Sequence, residues 1–356
     1  MHRRTFLKAT ATAAATGPIL LGMEDKADSK ALVTGTGDYR YEVVHDWAKL
    51  PSKYTWQTTH NVAVDSEGNL YVIHEGREDL KDHPSIFVFD SKGEYIRSFG
   101  KQFQGGGHGI EIRKEGNEEF LYVCAYQQVK SFAKMTLKGE TVWQKYAPMD
   151  SKVYAAGEDT KPQKIWGRDR FMPTNFAWVP GTTDFFLTDG YGAFVIHRYD
   201  KDGNWKSTFG GAGAGEGKFD TPHGMWVDNR GKEPRVVVCD RAHHTLQFFD
   251  INGKYQKTVK GFGLPANCET YKGLLLVPEL HARVSILDAD DNVLVRLGDD
   301  VARVTGKDGG GIRNDSNKWL PGKFVHPHDA CFDADGNIFV AEWVATGRVS
   351  KLRKVS

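Results

Sequence analysis

Gly217-Lys218-Phe219-Asp220-Thr221-Pro222-His223-Gly224 returns near the C-terminus as Gly322-Lys323-Phe324-Val325-His326-Pro327-His328-Asp329. The shared frame is Gly-Lys-Phe-x-x-Pro-His, too long to recur comfortably by chance. A looser copy ends at Gly107-His108-Gly109. After each His the text is the same: an apolar alternation, a polar turn, a second apolar run. Alternation with period two predicts half-buried strands, and the polar clusters predict the turns between them.

Read outward from that frame, a four-strand text opens six times, at His60, His108, Asn175, His223, Asn267 and His328. The turns Asp90-Ser91-Lys92-Gly93, Asp200-Lys201-Asp202-Gly203 and Asp250-Ile251-Asn252-Gly253 fall at matching places after a third strand. Units of about 40 to 50 residues with four strands each predict propeller blades. The fold class expected is all-β, a six-bladed β-propeller over 39–356. Two intervals are longer and hold insertions, at Ala147–Arg170 and Asp300–Trp319. The sixth unit supplies three strands, so the early strand Tyr39–Val44 is expected to close the ring.

A net charge of +1 and no basic block beyond the first residues argue against nucleic acid as a partner. Four cysteines without CxxC spacing exclude a thiolate zinc knuckle. Buried free thiols are expected, with one disulfide as the alternative. The N-terminal His2-Arg3-Arg4-Thr5-Phe6-Leu7-Lys8, followed by the weakly apolar Ala9–Leu21, reads as a twin-arginine-like export signal over 1–22. That run is too short to span a bilayer. A flexible segment is expected over 23–38. The address predicts a periplasmic or extracellular protein, a monomer acting on a small-molecule or peptide substrate.

In a propeller, equivalent residues of successive blades ring the axis. His108, His223 and His328 then fall on alternate blades, 120° apart in a sixfold ring. Three converging imidazoles with one open position make the ligand set of a catalytic zinc. His60 is read as a channel-lining residue. His326, two places before His328, is a candidate to touch the substrate or support a ligand. His45, His74, His83, His197, His243, His244 and His281 lie outside the frame and are expected at the surface or in loops.

Gly215–Gly224 matches in full the inter-blade text of NHL-repeat propellers, Gly-x-Gly-x-Phe-x-x-Pro-x-Gly/Asp, and Gly322–Asp329 matches its second half. Over about Val62 to Val355 the chain resembles the peptidyl-α-hydroxyglycine α-amidating lyases within that group. The resemblance is strongest in Thr188-Asp189-Gly190-Tyr191, Pro222-His223 and Val238-Cys239-Asp240-Arg241. It implies zinc on His108, His223 and His328, a catalytic Tyr191 and an active-site Arg241. It also implies a structural calcium on Asp329 and the main-chain carbonyls of Val62 and Ile110. The family's other arginine follows a His that matches His74. Here Glu75 stands in that place, and Arg77 is the nearest arginine. His326 replaces a family Met.

The reading these features support is an exported zinc-dependent lyase that cleaves a carbinolamide C–N bond. In it Arg77 or Arg241 holds a carboxylate, and Tyr191, its pKa lowered by the metal and Arg241, takes a proton. The alternatives are a non-catalytic propeller for protein or glycan binding and a metal-dependent hydrolase or lactonase.

Overall fold

The computed structural model describes residues 31–355 apart from Glu78 and Lys81. The export signal at 1–22 and the start of the 23–38 segment lie outside the described residues.

Six antiparallel sheets follow one another along the chain. The first blade is Thr59–Val64, Leu70–His74, Ile86–Phe89 and Tyr95–Phe99. The next four open at Gly107–Glu115, Asn175–Trp178, Pro222–Asp228 and Glu269–Tyr271. The sixth holds Pro327–Phe332, Ile338–Glu342 and Arg348–Lys354. Its fourth strand is Tyr41–Val44, which pairs with the C-terminal strand through Tyr41 opposite Lys354 and Val44 opposite Lys351. Beyond it lies Val33–Thr34, paired with Glu42 and Tyr41. The end of the segment expected to be flexible is thus a fifth strand. Thr34 Oγ1 accepts the Gly298 N–H at 2.7 Å, which ties it to the fifth blade.

The hairpins share one local device. In the turn of Asp90 the carboxylate accepts the N–H groups of Lys92 and Glu94, both at 2.9 Å. Asp200 and Asp250 repeat this with the residues two and four places on. Such a turn needs a left-handed residue at its fourth position, filled by Gly93, Gly203 and Gly253. In the fifth blade Asp291 stands there instead, at φ 67°. The side chain compensates for the unfavourable backbone: buried Asp291 pairs with Arg230 at 2.6 Å, Arg235 at 2.8 Å and Lys257 at 2.6 Å.

Each sheet is apolar on both faces, and six clusters of buried side chains fill the six spaces between neighbouring blades. Tyr41 and Val43 join the cluster between the fifth and sixth blades, so the N-terminal strand contributes to the core as well as to the ladder. All four cysteines are buried and free, as an interior of this kind requires.

Two histidines depart from expectation. His74 and His197 are fully buried, not in surface loops. His74 ends the second strand of the first blade, where its Nδ1 accepts the Gln57 N–H at 3.2 Å and its Nε2 donates to Pro84 O at 2.9 Å. His197 lies mid-strand between the Tyr154 hydroxyl at 2.6 Å and the Thr208 hydroxyl at 2.7 Å. Polar partners supplied from neighbouring segments make these burials tolerable, and single-strand patterning does not reveal such partners.

Burial lowers both imidazoles to about 3. The unfolded chain therefore takes up protons below about pH 6.5 that the native chain refuses. Stability is fully present above that pH and is lost as pH falls toward 3. Urea unfolding of metal-free protein should show a midpoint that drops between pH 6.5 and 4. His197→Gln should be less stable at pH 7 but flatter in that window, by up to about 1.4 kcal/mol per pH unit. Equal slopes would contradict the buried neutral histidine.

Candidate functional site

The inner strand of a blade starts at one mouth of the channel, and the strand register breaks there. The pairing shifts between Thr59 and Asn61, Gly107 and Ile110, Pro222 and Met225, and Pro327 and Asp329. The residues inside these bulges are His60, His108, His223 and His328. A bulge re-aims a side chain that a regular pleat would bury between sheets. Four imidazoles thereby meet on the axis, with centroids 4.6 to 4.9 Å apart.

Three of the four are oriented by main-chain carbonyls of the following blade. Nδ1 of His108 donates to Thr174 O at 2.8 Å, that of His223 to Ala266 O at 2.6 Å, and that of His328 to His60 O at 2.7 Å. A carbonyl only accepts, so Nδ1 carries the proton and Nε2 is left as a lone pair. The His-Gly dipeptide now has a reason. A Cβ at Gly109 would stand 2.4 Å from Thr174 O, and one at Gly224 2.5 Å from Ala266 O. Glycine lets the orienting carbonyl approach.

The inward nitrogens are in conflict as they stand. His108 Nε2 lies 3.1 Å from His223 Nε2 with no proton between them, so the contact is not a hydrogen bond. His328 Nε2 is buried with no partner. Burial holds His108 at about 3 and the other three well below the ordinary imidazole range, so protonation is not the remedy at neutral pH. Two nitrogens on one tetrahedral zinc at 2.0–2.1 Å lie about 3.3 Å apart, close to the spacing found. The His108–His223 pair thus has the spacing of two ligands on a zinc-like cation, and the unpartnered His328 Nε2 is a third donor of the right chemistry. Mutual spacing among the described residues picks out a different triad from the expected one, His60 with His108 and His328, their nitrogens within 4.8 Å of one another. His60 has neither nitrogen hydrogen-bonded, and its Nε2 lies 3.7 Å from Glu75. Orientation therefore favours His223 over His60 as the third ligand.

Second strands run back to the same mouth. Those of the third to sixth blades end on buried acids, Asp189, Asp240, Glu279 and Glu342, which accept main-chain N–H groups of the incoming connections. The residues just past the strand ends ring the mouth: Glu75, Tyr126, Tyr191, Arg241, Leu280 and Trp343. Tyr191, over the histidines, donates to His223 Nε2 at 2.9 Å and accepts from Arg241 Nη1 at 3.0 Å. Burial raises the Tyr191 phenol and Arg241 draws it back only in part, so without a metal the shift opposes the lowering expected for it.

Arg77 is not brought to this centre. Its guanidinium is 62% exposed and bound to Asp79 at 2.5 and 3.0 Å. Glu75 faces inward instead, accepting Gln127 Nε2 at 2.9 Å and the Tyr126 hydroxyl at 3.3 Å. His326 binds Leu280 O at 2.6 Å. Deeper in the channel, Asp329 accepts the Val62 N–H at 2.8 Å and Asn267 Nδ2 at 2.6 Å. Glu111 and Glu269 lie near it. Burial and the Asp329 charge push both well up, and burial pushes Asp329 up to about 7. Tyr126, Glu75 and Trp343 were findable from sequence, since each follows a second strand as Arg241 does. Trp166, Arg168 and Arg313 come from the insertions, where no repeat marks them.

Gly224→Ala should force Ala266 O away and turn His223. Overpacking against main chain predicts a loss of about 1–3 kcal/mol in denaturant unfolding. An unchanged midpoint would refute the tight approach.

No protein-family model matches the chain. NHL repeat-containing protein 3 of Homo sapiens is 27% identical over 237 residues, 66% of this chain and 62% of that protein. Peptidylglycine alpha-amidating monooxygenase of Rattus norvegicus is 25% identical over 248 residues, 62% of this chain and 23% of that protein. The chain spans less than two thirds of either relative. Among solved structures, virginiamycin B lyase from Staphylococcus aureus superposes with a TM-score of 0.53 at 11% identity, over 88% of this chain and 100% of that one. The last likeness is one of fold. The chain is a six-bladed propeller similar to NHL-repeat proteins and to peptidylglycine amidating enzymes.

Proposed function

We propose that this propeller is a zinc-dependent lyase that cleaves the C–N bond of a carbinolamide of the peptidyl-α-hydroxyglycine kind. One observation carries the reading: the Tyr191 hydroxyl stands over the converged histidines, 2.9 Å from His223 Nε2 and 3.0 Å from Arg241 Nη1, and would release the His223 lone pair to a metal while keeping Arg241. His108, His223 and His328 would hold the zinc, which supplies Lewis acidity toward a carbinol oxygen. Tyr191 stands where that hydroxyl would enter, and takes its proton. Arg241 stabilises the phenolate and offers a second N–H to a substrate carboxylate. The C–N electron pair leaves with nitrogen as the carbonyl forms, and Tyr191 returns the proton to the departing amide. The products are an amide and an aldehyde acid such as glyoxylate, with no change of oxidation state.

Deeper in the channel, Asp329, Glu111 and Glu269 offer oxygen donors, and the buried Asn267 and Asn175 side-chain oxygens lack partners. Hard oxygen donors favour calcium. A structural calcium on Asp329 and the main-chain carbonyls of Val62 and Ile110 belongs to the same proposal.

Elemental analysis of purified protein should find one zinc, removable by chelator, and separately any calcium. Replacing His223 by Ala should abolish zinc retention, while His60→Ala should keep it. Tyr191→Phe should keep zinc and thermal stability but lower glyoxylate release from an α-hydroxyglycine peptide by about 10²-fold or more. Full turnover in that variant would remove Tyr191 from the chemistry. Zinc binding without any glyoxylate release would favour the non-catalytic reading.

Export completes the proposal, carried by Arg3-Arg4 ahead of the weakly apolar run. Replacing both arginines by Lys should retain the protein in the cytoplasmic fraction. Unchanged export would refute the twin-arginine route.

A further inference from the structure

The first insertion, 147–170, is fixed in place by buried charge. Lys130, 1% exposed, donates to Ile165 O at 2.9 Å and lies 3.7 Å from the equally buried Glu158. Glu158 also pairs with Arg170 at 3.0 Å and accepts the Phe171 N–H at 3.1 Å. Burying a charged set of this kind costs desolvation, and removing one member strands the others. Its geometric effect is to pin the carbonyl just before Trp166.

Trp166 is held out over the mouth, 56% exposed. Its ring lies 5.4 Å from Tyr191 and 6.1 Å from Tyr126, edge to face with both. With Arg168, Arg241 and Trp343 these rings line a cavity of about 410 Å³. That volume falls within the range of small-ligand pockets. Arg168 stacks 3.4 Å over Phe194 and donates to Gly192 O at 2.6 Å. Both arginines on this wall keep further N–H groups, and among the described residues the nearest carboxylate, Glu75, is engaged behind the lining by Gln127 and Tyr126. Across the mouth the second insertion adds Arg313, stacked 3.6 Å over Trp343. An exposed aromatic on a rigid support, beside stacked guanidinium groups, is built for a flat anion.

We propose that the mouth binds an organic carboxylate bearing an aromatic acyl group, and that Trp166 and Arg168 of the insertion determine this specificity. The inference rests on the mouth being the substrate site, and it names the substrate class: N-aroyl or similarly flat N-acyl amino-acid derivatives. Hippurate has the ring and the carboxylate but lacks the carbinol hydroxyl, so it cannot be cleaved. It should bind the zinc-loaded full-length protein saturably in calorimetry. Acetylglycine, without the ring, and hippuramide, without the carboxylate, should each bind about 10-fold more weakly or worse. Trp166→Ala and Arg168→Gln should weaken hippurate by a similar factor with unchanged melting temperature, and Trp166→Phe should recover most of the loss. Absence of saturation up to about 10 mM, or wild-type affinity in both variants, would overturn the proposal. N-benzoyl-α-hydroxyglycine assayed in parallel separates the two readings. Hippurate binding that depends on Trp166 and Arg168 without glyoxylate release sinks the lyase and keeps the specificity. Glyoxylate release indifferent to both variants does the reverse.

Discussion

Every blade of this protein is a sheet with two apolar faces, and no blade can cover both alone. Burial between neighbours is the constraint on which the rest depends. A Phe or Val moved from water to such an interface contributes about 1.5–3 kcal/mol, and each of the six interfaces holds several. The saving is complete only when the ring is closed. A strand from the N-terminal end therefore completes the sixth blade, with Tyr41 and Val43 seated among residues of the fifth.

Closure also sets the chemistry, because it brings six strand starts to one axis. The bulges turn four histidines inward. Carbonyls of the next blade then fix the tautomer of three, through His108, His223 and His328 Nδ1. The cluster is thus made by contacts between blades: each of these three histidines stands on one sheet and is aimed by the next. His108 Nε2 and His223 Nε2 approach each other with no proton between them, an electrostatic cost that a cation would relieve.

Most of the fold was legible because a repeat makes the same physical statement many times. Gly-Lys-Phe-x-x-Pro-His marked the inner strands, and the Asp-x-x-Gly turns marked the hairpins. Convergence of His108, His223 and His328 followed from counting blades. What was not legible depended on partners distant in sequence. His74 and His197 look like ordinary polar residues until Gln57, Pro84, Tyr154 and Thr208 are seen to satisfy them. Arg77 seemed near enough to the site, but Asp79 holds it at the surface while Glu75 turns inward. Trp166 and Arg168 occur once, outside the repeat, so periodicity said nothing about them.

Pairing of Tyr41 with Lys354 joins opposite ends of the chain. On a ribosome the sixth blade emerges after the other five, and until then Tyr41–Val44 has no ladder to join. Five blades can stack in order as they emerge, each on the one before, with the seam still open. Closing the ring is a loop closure that spans all six blades, and its entropic cost grows only slowly with loop length. Such long-range pairing belongs to the slow end of single-domain folding. Orientation of His328 by His60 O crosses this seam. The histidine cluster is therefore the last part of the propeller to form, and a chain cut short before the sixth blade cannot assemble it.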